Sequence, residues 1–516
     1  MTHDLIASRL AESFGSFSET LRHWAKAQPD AIALKDNHRD VAWSELIELV
    51  ERLAARLVET GLKRGQSVAI LGTSNINYAL VFLAVIRAGG VAAPLTTSAS
   101  AEQLAGMAKD SGSAHLFIDA AKANELGAKF MPEMICVPLE EIEHWMAPAG
   151  SLAPEFEPQP SDPFNIIYSS GTTGIPKGIV HSHQMRWRQF GVTALSYREA
   201  GLPIRSLAST PLYSNTTMVA FLPPLLAGGT VRVMSKFDCA RWLEYAEADR
   251  TTITMLVPVQ YQRLMDFPGF DEADLSSLTL KYCTSAPFSA ELKREVLTRM
   301  PGGLIEIYSM TEGGVVCLLE CHKFPDKLHT VGRSAPGSEL KVVNDADELV
   351  APGEAGNLIG LSQTMMSGYQ NQPGKTQEGY WADPETGINW QRMGDIGRVD
   401  EDGFVELVGR AKDMIISGGF NIYPSDLEAE LESEGDVAEA AVVGIASKQW
   451  GETPVGFVVV SGDARDPYAI MAAVNSRLGK TQRLAALHLI DEMPRSHIGK
   501  LLKTELRDHA QRLCGD

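Results

Sequence analysis

Residues 168–178 read Tyr168-Ser169-Ser170-Gly171-Thr172-Thr173-Gly174-Ile175-Pro176-Lys177-Gly178, at the end of the apolar run Phe164 to Tyr168. A strand that opens into glycines lets backbone N–H groups turn toward a ligand, and serine and threonine hydroxyls add donors. Lys177 adds a cation. The set suits a polyphosphate better than a plain surface loop, because donors and charge stand together behind a strand. A Walker loop, G-x-x-x-x-G-K-[ST], is excluded. Pro176 stands where the glycine before the lysine belongs, and Gly178 where the metal-binding hydroxyl belongs.

Outward from this loop, helix and strand patterns alternate. Leu46, Leu49, Val50, Leu53 and Leu57 recur at helical spacing behind Ser44, a candidate N-cap. Gly61 and Gly65 bracket a turn before a short buried strand, Ser67 to Leu71. An apolar helix from Tyr78 to Ala88 ends at Gly89-Gly90, and Val91 to Leu95 follows as strand. Strand, helix and strand at this spacing require crossovers and a largely parallel sheet. The apolar runs Val231 to Met234, Ile253 to Val257, Leu280 to Cys283 and Leu304 to Tyr308 continue the pattern. The prolines of 147–163, APAGSLAPEFEPQPSDP, predict an extended surface linker. From about residue 400 the texture changes to a compact α+β unit. Its expected strands are Val405 to Val408, Met414 to Ile416, Ala440 to Ile445, Val455 to Val460 and Leu487 to Ile490. Its expected helices open at Pro424 and span Tyr468 to Leu478.

The 516 residues carry 46 Lys+Arg against 65 Asp+Glu, a net charge of −19, which argues against a protein that coats nucleic acid. It does not exclude a small anion, which needs only local donors and one or two cations. Apolar residues at 44% and charged residues at 22% fit a globular protein rather than a disordered one. Six cysteines are too few for a disulfide scaffold. Cys317-x-x-x-Cys321-His322 lacks a second Cys/His pair at finger spacing, so reduced thiols are expected rather than zinc. The N-terminus has no apolar signal core, and the most apolar stretch, Tyr78 to Ile86, stops far short of a membrane span. A cytoplasmic protein, with a homodimer permitted by its Ala and Leu faces, is the expectation.

Further motifs stand in order along the chain. They are Tyr308-Ser309-Met310-Thr311-Glu312, Met393-Gly394-Asp395, Gly409-Arg410-Ala411-Lys412-Asp413, Ser417-Gly418-Gly419-Phe420-Asn421-Ile422-Tyr423-Pro424 and Pro494-Arg495-Ser496-His497-Ile498-Gly499-Lys500. With the loop at 168–178 they resemble the adenylate-forming superfamily: acyl- and aryl-CoA synthetases, carrier-loading adenylation domains and luciferases. The resemblance covers almost the whole chain. It implies an α/β fold: a large N-terminal domain of layered, largely parallel sheets and helices, residues 1–409, and a small α+β C-terminal lid, residues 410–516, with Lys412 at the hinge.

The resemblance also implies chemistry. A carboxylate is a poor acyl donor; attack on the α-phosphate of ATP makes a mixed anhydride and releases pyrophosphate. Charge concentrates in the transition state, so oriented donors and cations supply most of the stabilisation. Ser169, Ser170, Gly171, Thr172, Thr173, Gly174 and Lys177 are suited to the phosphates, Glu312 to Mg²⁺ and Thr311 to a phosphate oxygen. Asp395 matches a ribose diol. Tyr308 stacks on adenine opposite Ser285-Ala286-Pro287, and Arg410 reaches ribose or phosphate, or forms an interdomain ion pair. Lys500 bridges the substrate carboxylate and the α-phosphate, then leaves as the lid rotates and brings Gly418-Gly419 to a narrow thiol tunnel for coenzyme A. Trp450 either meets the CoA end or packs in the lid core.

The sequence departs from the family at Ser309 and Ser285, where glycine is usual, and at Ser214, where many relatives carry His or Phe. Ser309 is expected to shorten or polarise the acyl pocket. Tyr213, Ser214, Asn215, Met218, Ser309, Met310 and Gly314 are its candidate walls. The reading is an AMP-forming acid–CoA ligase for an aromatic or phenylpropanoid acid. The alternatives are a medium-chain fatty acid, a carrier protein loaded in trans, and a non-catalytic nucleotide-binding relative.

Overall fold

Strands buried on both faces are largely apolar, and Ser67–Leu71, Val91–Pro94 and His115–Ile118 are buried in every residue, with Ser67 and His115 the polar ones. The computed structural model describes residues 2–127, 130, 131, 133–169, 177–417, 420–447, 450–461, 466–479, 482–496 and 499–514. These three strands lie in a seven-stranded sheet ordered Gly368–Tyr369, Lys177–Ser182, Pro163–Ser169, Val91–Pro94, Ser67–Leu71, His115–Ile118, Ile135–Pro138. From Pro163–Ser169 to Ile135–Pro138 all neighbours are parallel; Lys177–Ser182 and Gly368–Tyr369 run antiparallel at the other edge. Ser169 pairs with Lys177, so the strand before the glycine-rich stretch and the strand after it are adjacent.

A second, nine-stranded sheet runs Arg333–Ser334, Gly313–Glu320, Gly303–Met310, Leu280–Cys283, Ile253–Leu256, Arg205–Ala208, Thr230–Val233, Ile32–Lys35, Asp40–Ala42. The strands from Gly303–Met310 to Ile32–Lys35 are parallel to their neighbours. The largest core gathers Phe164 of the first sheet, Leu34 and Val231 of the second, and Trp43, Phe82, Phe190 and Phe221 of the helices Trp43–Glu59, Ile76–Arg87, His183–Glu199 and Asn215–Leu226. Phe82 meets Phe164 and Phe221 edge-on at 6.1 and 6.2 Å.

Three expectations change. Ser44 is not a cap: the helix starts at Trp43 behind Ala42, and the Ser44 hydroxyl donates to the Pro29 carbonyl at 2.9 Å. The proline-rich stretch is pinned rather than free. Buried Arg87 donates to Glu51 (2.7 Å) and to the carbonyls of Pro154 (2.9 Å) and Ala153 (3.0 Å). Phe156 lies so close over Gly89 that a Cβ there would stand 2.8 Å from its ring. Finally, the strand Val405–Arg410 belongs to a third, antiparallel sheet with Ser338–Val343, Gly356–Ser362, Asn389–Val399 and Tyr380–Ala382. The sequence reading grouped that strand with the C-terminal unit.

A 3₁₀ turn, Ala411–Asp413, joins this third sheet to the strand Ile415–Ser417 of a fourth. The fourth sheet, ordered Phe420–Ile422, Ile415–Ser417, Gly451–Val460, Val437–Ser447 with Ala486–Leu489 paired to Gly451–Val460, is covered on both faces. Val442 and Val458 pack on Leu427, Leu431, Ile470 and Val474 of the helices Pro424–Glu432 and Pro467–Arg477. Val443 and Phe457 pack on Leu506 and Ala510 of Lys503–Cys514. This alternation follows from the period of two in a strand. No helix among the described residues is long and apolar enough to cross a membrane.

Candidate active site

Thr311 and Glu312 form the turn between the strands Gly303–Met310 and Gly313–Glu320. Gly313 (φ 93°) makes the turn possible, since a Cβ there would lie 2.5 Å from the Thr364 carbonyl oxygen. Glu312 is half-buried, and the Tyr369 hydroxyl donates to its Oε1 at 2.8 Å. The Lys177 Nζ lies 5.1 Å from the centroid of the same tyrosine ring. The end of the loop-bearing sheet therefore meets the turn of the second sheet through Tyr369. The phenol of Tyr369 is pushed up first by burial and then by Glu312, so it stays a donor. Sequence reasoning missed Tyr369, which stands 57 residues from the carboxylate it holds.

Beneath the turn, His181 Nε2 lies 2.8 Å from the Thr311 carbonyl oxygen. Burial, and then the charge of Arg186, holds this imidazole well below its usual pKa, so it is neutral. A Glu312 carboxylate is the hard oxygen donor that Mg²⁺ takes. Among the described residues no group of three His, Cys, Asp or Glu side chains converges on a cation site. A magnesium ion at Glu312 would take its remaining ligands from phosphate oxygens and water, the usual arrangement for this ion. Cys317 and Cys321 enter different cores, which accounts for both thiols without a metal.

Asp395 lies on Asn389–Val399 directly across from Arg410. Its Oδ1 is 3.1 Å from Arg410 Nε and its Oδ2 accepts from the Tyr308 hydroxyl at 2.7 Å. Burial first, then Asp395, pushes the Tyr308 phenol up. The Thr284 hydroxyl donates to the Ile307 carbonyl at 2.7 Å, which holds Ser285, Ala286 and Pro287 beside Tyr308. Ser285 adopts φ 84°, a left-handed conformation that favours glycine. The departure noted in the sequence is thus a strained serine, held by a 2.5 Å hydrogen bond between its hydroxyl and that of Thr216.

The candidate acyl walls divide. Tyr213 and Ser214 precede the helix Asn215–Leu226, which Ser214 caps by accepting from Thr216 N. Met218 is buried in the main core, and Met310 lies across the turn from Gly313. Three candidates have close partners of their own. Asn215 Oδ1 accepts from Arg186 (2.8 Å), and the Ser309 hydroxyl donates to the Val315 carbonyl (3.0 Å), so that hydroxyl is spent within its own hairpin. A Cβ on Gly314 would meet Met393 Sδ at 2.5 Å.

Lys500, between the strand Ala486–Leu489 and the helix Lys503–Cys514, lies within electrostatic reach of Asp395 and Arg410. Burial lowers its pKa first, Arg410 and Lys412 lower it further, and Asp395 and Asp413 oppose them. Ser496 fixes its backbone: the hydroxyl accepts from Lys500 N at 3.1 Å and the amide donates to Lys500 O at 2.8 Å. Gly499 (φ 76°) lies against Val259, where a Cβ would come within 2.3 Å of Cγ1. Lys412 is exposed in the Ala411–Asp413 turn, and Trp450, 44% exposed, lies outside the cores of the fourth sheet. Ser170, Gly171, Thr172, Thr173, Gly174, Gly418 and Gly419 lie outside the described residues, and Ser169 is described in its backbone alone.

Lys177 and Glu312 thus meet at Tyr369, and Asp395, Arg410 and Lys500 form a second charged group beside Tyr308. The chain is similar to known proteins. The family model "AMP-binding enzyme" matches residues 21–370, and "AMP-binding enzyme C-terminal domain" matches 426–500. The chain is 32% identical to a feruloyl-CoA synthase of Amycolatopsis sp, over 94% of this chain and 96% of that protein. It is 31% identical to an indoleacetate–CoA ligase of Aromatoleum aromaticum, over 95% and 97%. The fold matches an o-succinylbenzoate coenzyme A synthetase of Bacillus subtilis solved with ATP and magnesium ion, with TM-score 0.80, 25% identity, and coverage of 95% and 99%.

Proposed function

The chain belongs to the AMP-binding enzyme family, and from that premise we propose that it is an AMP-forming acid–CoA ligase acting on an aromatic acid. Two groups of side chains support the reaction: Lys177 and Glu312 meet at Tyr369, and Asp395 and Arg410 stand near Lys500, with Tyr308 bonded to Asp395 on the strand that runs into Thr311-Glu312. Relatives named for feruloyl and indoleacetate substrates support the aromatic acid. Residues 1–409 form the body and 410–516 the lid, with Lys412 at the joint.

In the first half-reaction a carboxylate oxygen attacks the α-phosphorus of ATP and the bond to the bridging oxygen of pyrophosphate breaks. Lys177 and Thr311 bind phosphate oxygens, Asp395 takes the ribose hydroxyls, and Tyr308 lies against adenine. Lys500, its charge disfavoured by burial and by Arg410 and Lys412, gains most where negative charge gathers between carboxylate and α-phosphate. Glu312 would hold Mg²⁺, which supplies Lewis-acid neutralisation of the phosphates. In the second half-reaction the CoA thiolate attacks the acyl carbon and AMP leaves. The lid turns Lys500 away and offers another face to the thiol.

The test is a panel of acids read by CoA-dependent AMP release. A phenylpropanoid or arylacetic acid is expected to exceed octanoate in kcat/KM by at least about tenfold, the discrimination a shaped apolar pocket supplies. Preference for octanoate would overturn the acid assignment. Thioester forming only on a pantetheinylated carrier protein would overturn the acceptor. Tyr369→Phe, which removes the donor to Glu312, is expected to raise the half-saturating Mg²⁺ about tenfold, as loss of an outer partner of a metal ligand does. Titration of Mg²⁺ in acid-dependent pyrophosphate–ATP exchange checks it.

A further inference from the structure

Arg186, in the helix His183–Glu199, is 0% exposed, and among the described residues no carboxylate is one of its hydrogen-bond partners. Its Nε donates to Asn165 Oδ1 (2.9 Å), its Nη1 to Gln189 Oε1 (2.8 Å), and its Nη2 to Asn215 Oδ1 (2.8 Å) and His181 Nδ1 (2.9 Å). A guanidinium has donors only, so the last contact fixes the imidazole: Nδ1 accepts and Nε2 carries the proton. That Nε2–H then donates to the Thr311 carbonyl at 2.8 Å.

The partners are not scattered. Asn165 is on the strand that leads into the glycine-rich loop, and His181 is on the strand that leads out of it through Lys177. Asn215 is the first residue of the helix behind Tyr213 and Ser214. The Thr311 carbonyl belongs to the peptide that joins Thr311 to Glu312. A buried charge left without an acid is costly, and its polar neighbours must hold it. Here those neighbours are the supports of the phosphate side, the acyl side and the metal side.

We propose that Arg186 and His181 are positioning residues for adenylation: the guanidinium orients His181, and His181 fixes the peptide that aims Thr311 and Glu312 at magnesium-bound ATP. This rests on the ligase reading above. Neither side chain touches substrate. Both act through the Thr311–Glu312 peptide, so their loss should fall on the step that uses metal and triphosphate.

His181→Leu removes the imidazole at nearly constant bulk. His181→Gln keeps an acceptor for Arg186 and a donor for Thr311 O. Three measurements on the full-length protein decide the matter: calorimetric affinity for ATP at graded Mg²⁺, acid-dependent pyrophosphate exchange, and thioester formation from supplied acyl-AMP. His181→Leu is expected to weaken magnesium–ATP affinity and exchange about tenfold, while thioester formation from acyl-AMP holds at the wild-type rate. His181→Gln is expected to recover most of the loss, and Arg186→Met to reproduce His181→Leu. Equal loss in both half-reactions, or failure of His181→Gln to recover magnesium–ATP binding, would overturn the proposal and leave a purely structural network. Failure of the wild-type protein to exchange pyrophosphate with any acid would instead strike the ligase reading, and the calorimetric arm would still report on the two residues.

Discussion

Lys500→Ala is expected to lower acid-dependent pyrophosphate–ATP exchange by about 10²–10³-fold, the scale for removing one oriented charge-stabilising group from a closed site. Thioester formation from supplied acyl-AMP should remain largely intact. The asymmetry follows from position. Lys500 shares a half-buried cleft with Arg410, Lys412, Asp395 and Asp413, and its ammonium is a compact charge on a long stem. It is needed where a carboxylate and an α-phosphate bring negative charge together, not where a thiolate displaces AMP. Lys500→Arg is no substitute, since a planar fork does not replace a point charge. Equal loss of both half-reactions would remove Lys500 from the role proposed for it.

Gly499→Ala is the second large effect, and it acts through shape rather than charge. The added methyl would sit 2.3 Å from Val259 Cγ1 and 3.1 Å from Val259 Cβ, on a backbone at φ 76°. The left-handed conformation costs a non-glycine residue about 1–2 kcal/mol wherever the lid stands. The clash exists only while the lid rests on Val259, and overpacking of that kind costs about 1–3 kcal/mol. Adenylation should therefore fall by about 5- to 150-fold, at roughly 1.4 kcal/mol per factor of ten, beyond any loss in thioester formation. Val259→Ala removes the nearer of the two clashing carbons, so the double variant should recover much of the exchange activity. If Val259→Ala restores nothing, the contact does not govern lid docking.

The parallel strands could be read from the chain because burial on both faces leaves an unbroken apolar run, as in Val68 to Leu71 of the strand Ser67–Leu71. The third sheet could not. Ser338–Val343 is mostly half-exposed, with Val343 its one fully buried residue, and so it carries no such run. The candidate site divides in the same way. Lys177, Glu312, Asp395 and Lys500 stand in motifs whose residue types announce a charge or a metal. Tyr369, His181 and Arg186 act by completing hydrogen bonds across sheets, and nothing local to them signals a partner far along the chain. Ser285 was visible only as a missing glycine; its positive φ supplies the reason. The prolines of 147–163 did predict extended backbone, but not that Arg87 would nail it down.

The pairing at Asp395 means that a nucleotide bound there meets a carboxylate already in use. Both carboxylate oxygens already have partners, Arg410 on one and Tyr308 on the other. Each of those oxygens offers two acceptor sites, so a ribose seated there shares them with Arg410 and Tyr308, and any bond it displaces is subtracted from its gain. Those two donors are not idle. Tyr308 is on the strand that runs into Thr311-Glu312, and Arg410 is the last residue of its strand before the Ala411–Asp413 turn. If the proposed ribose site and joint hold, the sugar shares its carboxylate with the residue at the root of the rotation, so one ion pair couples nucleotide binding to the lid.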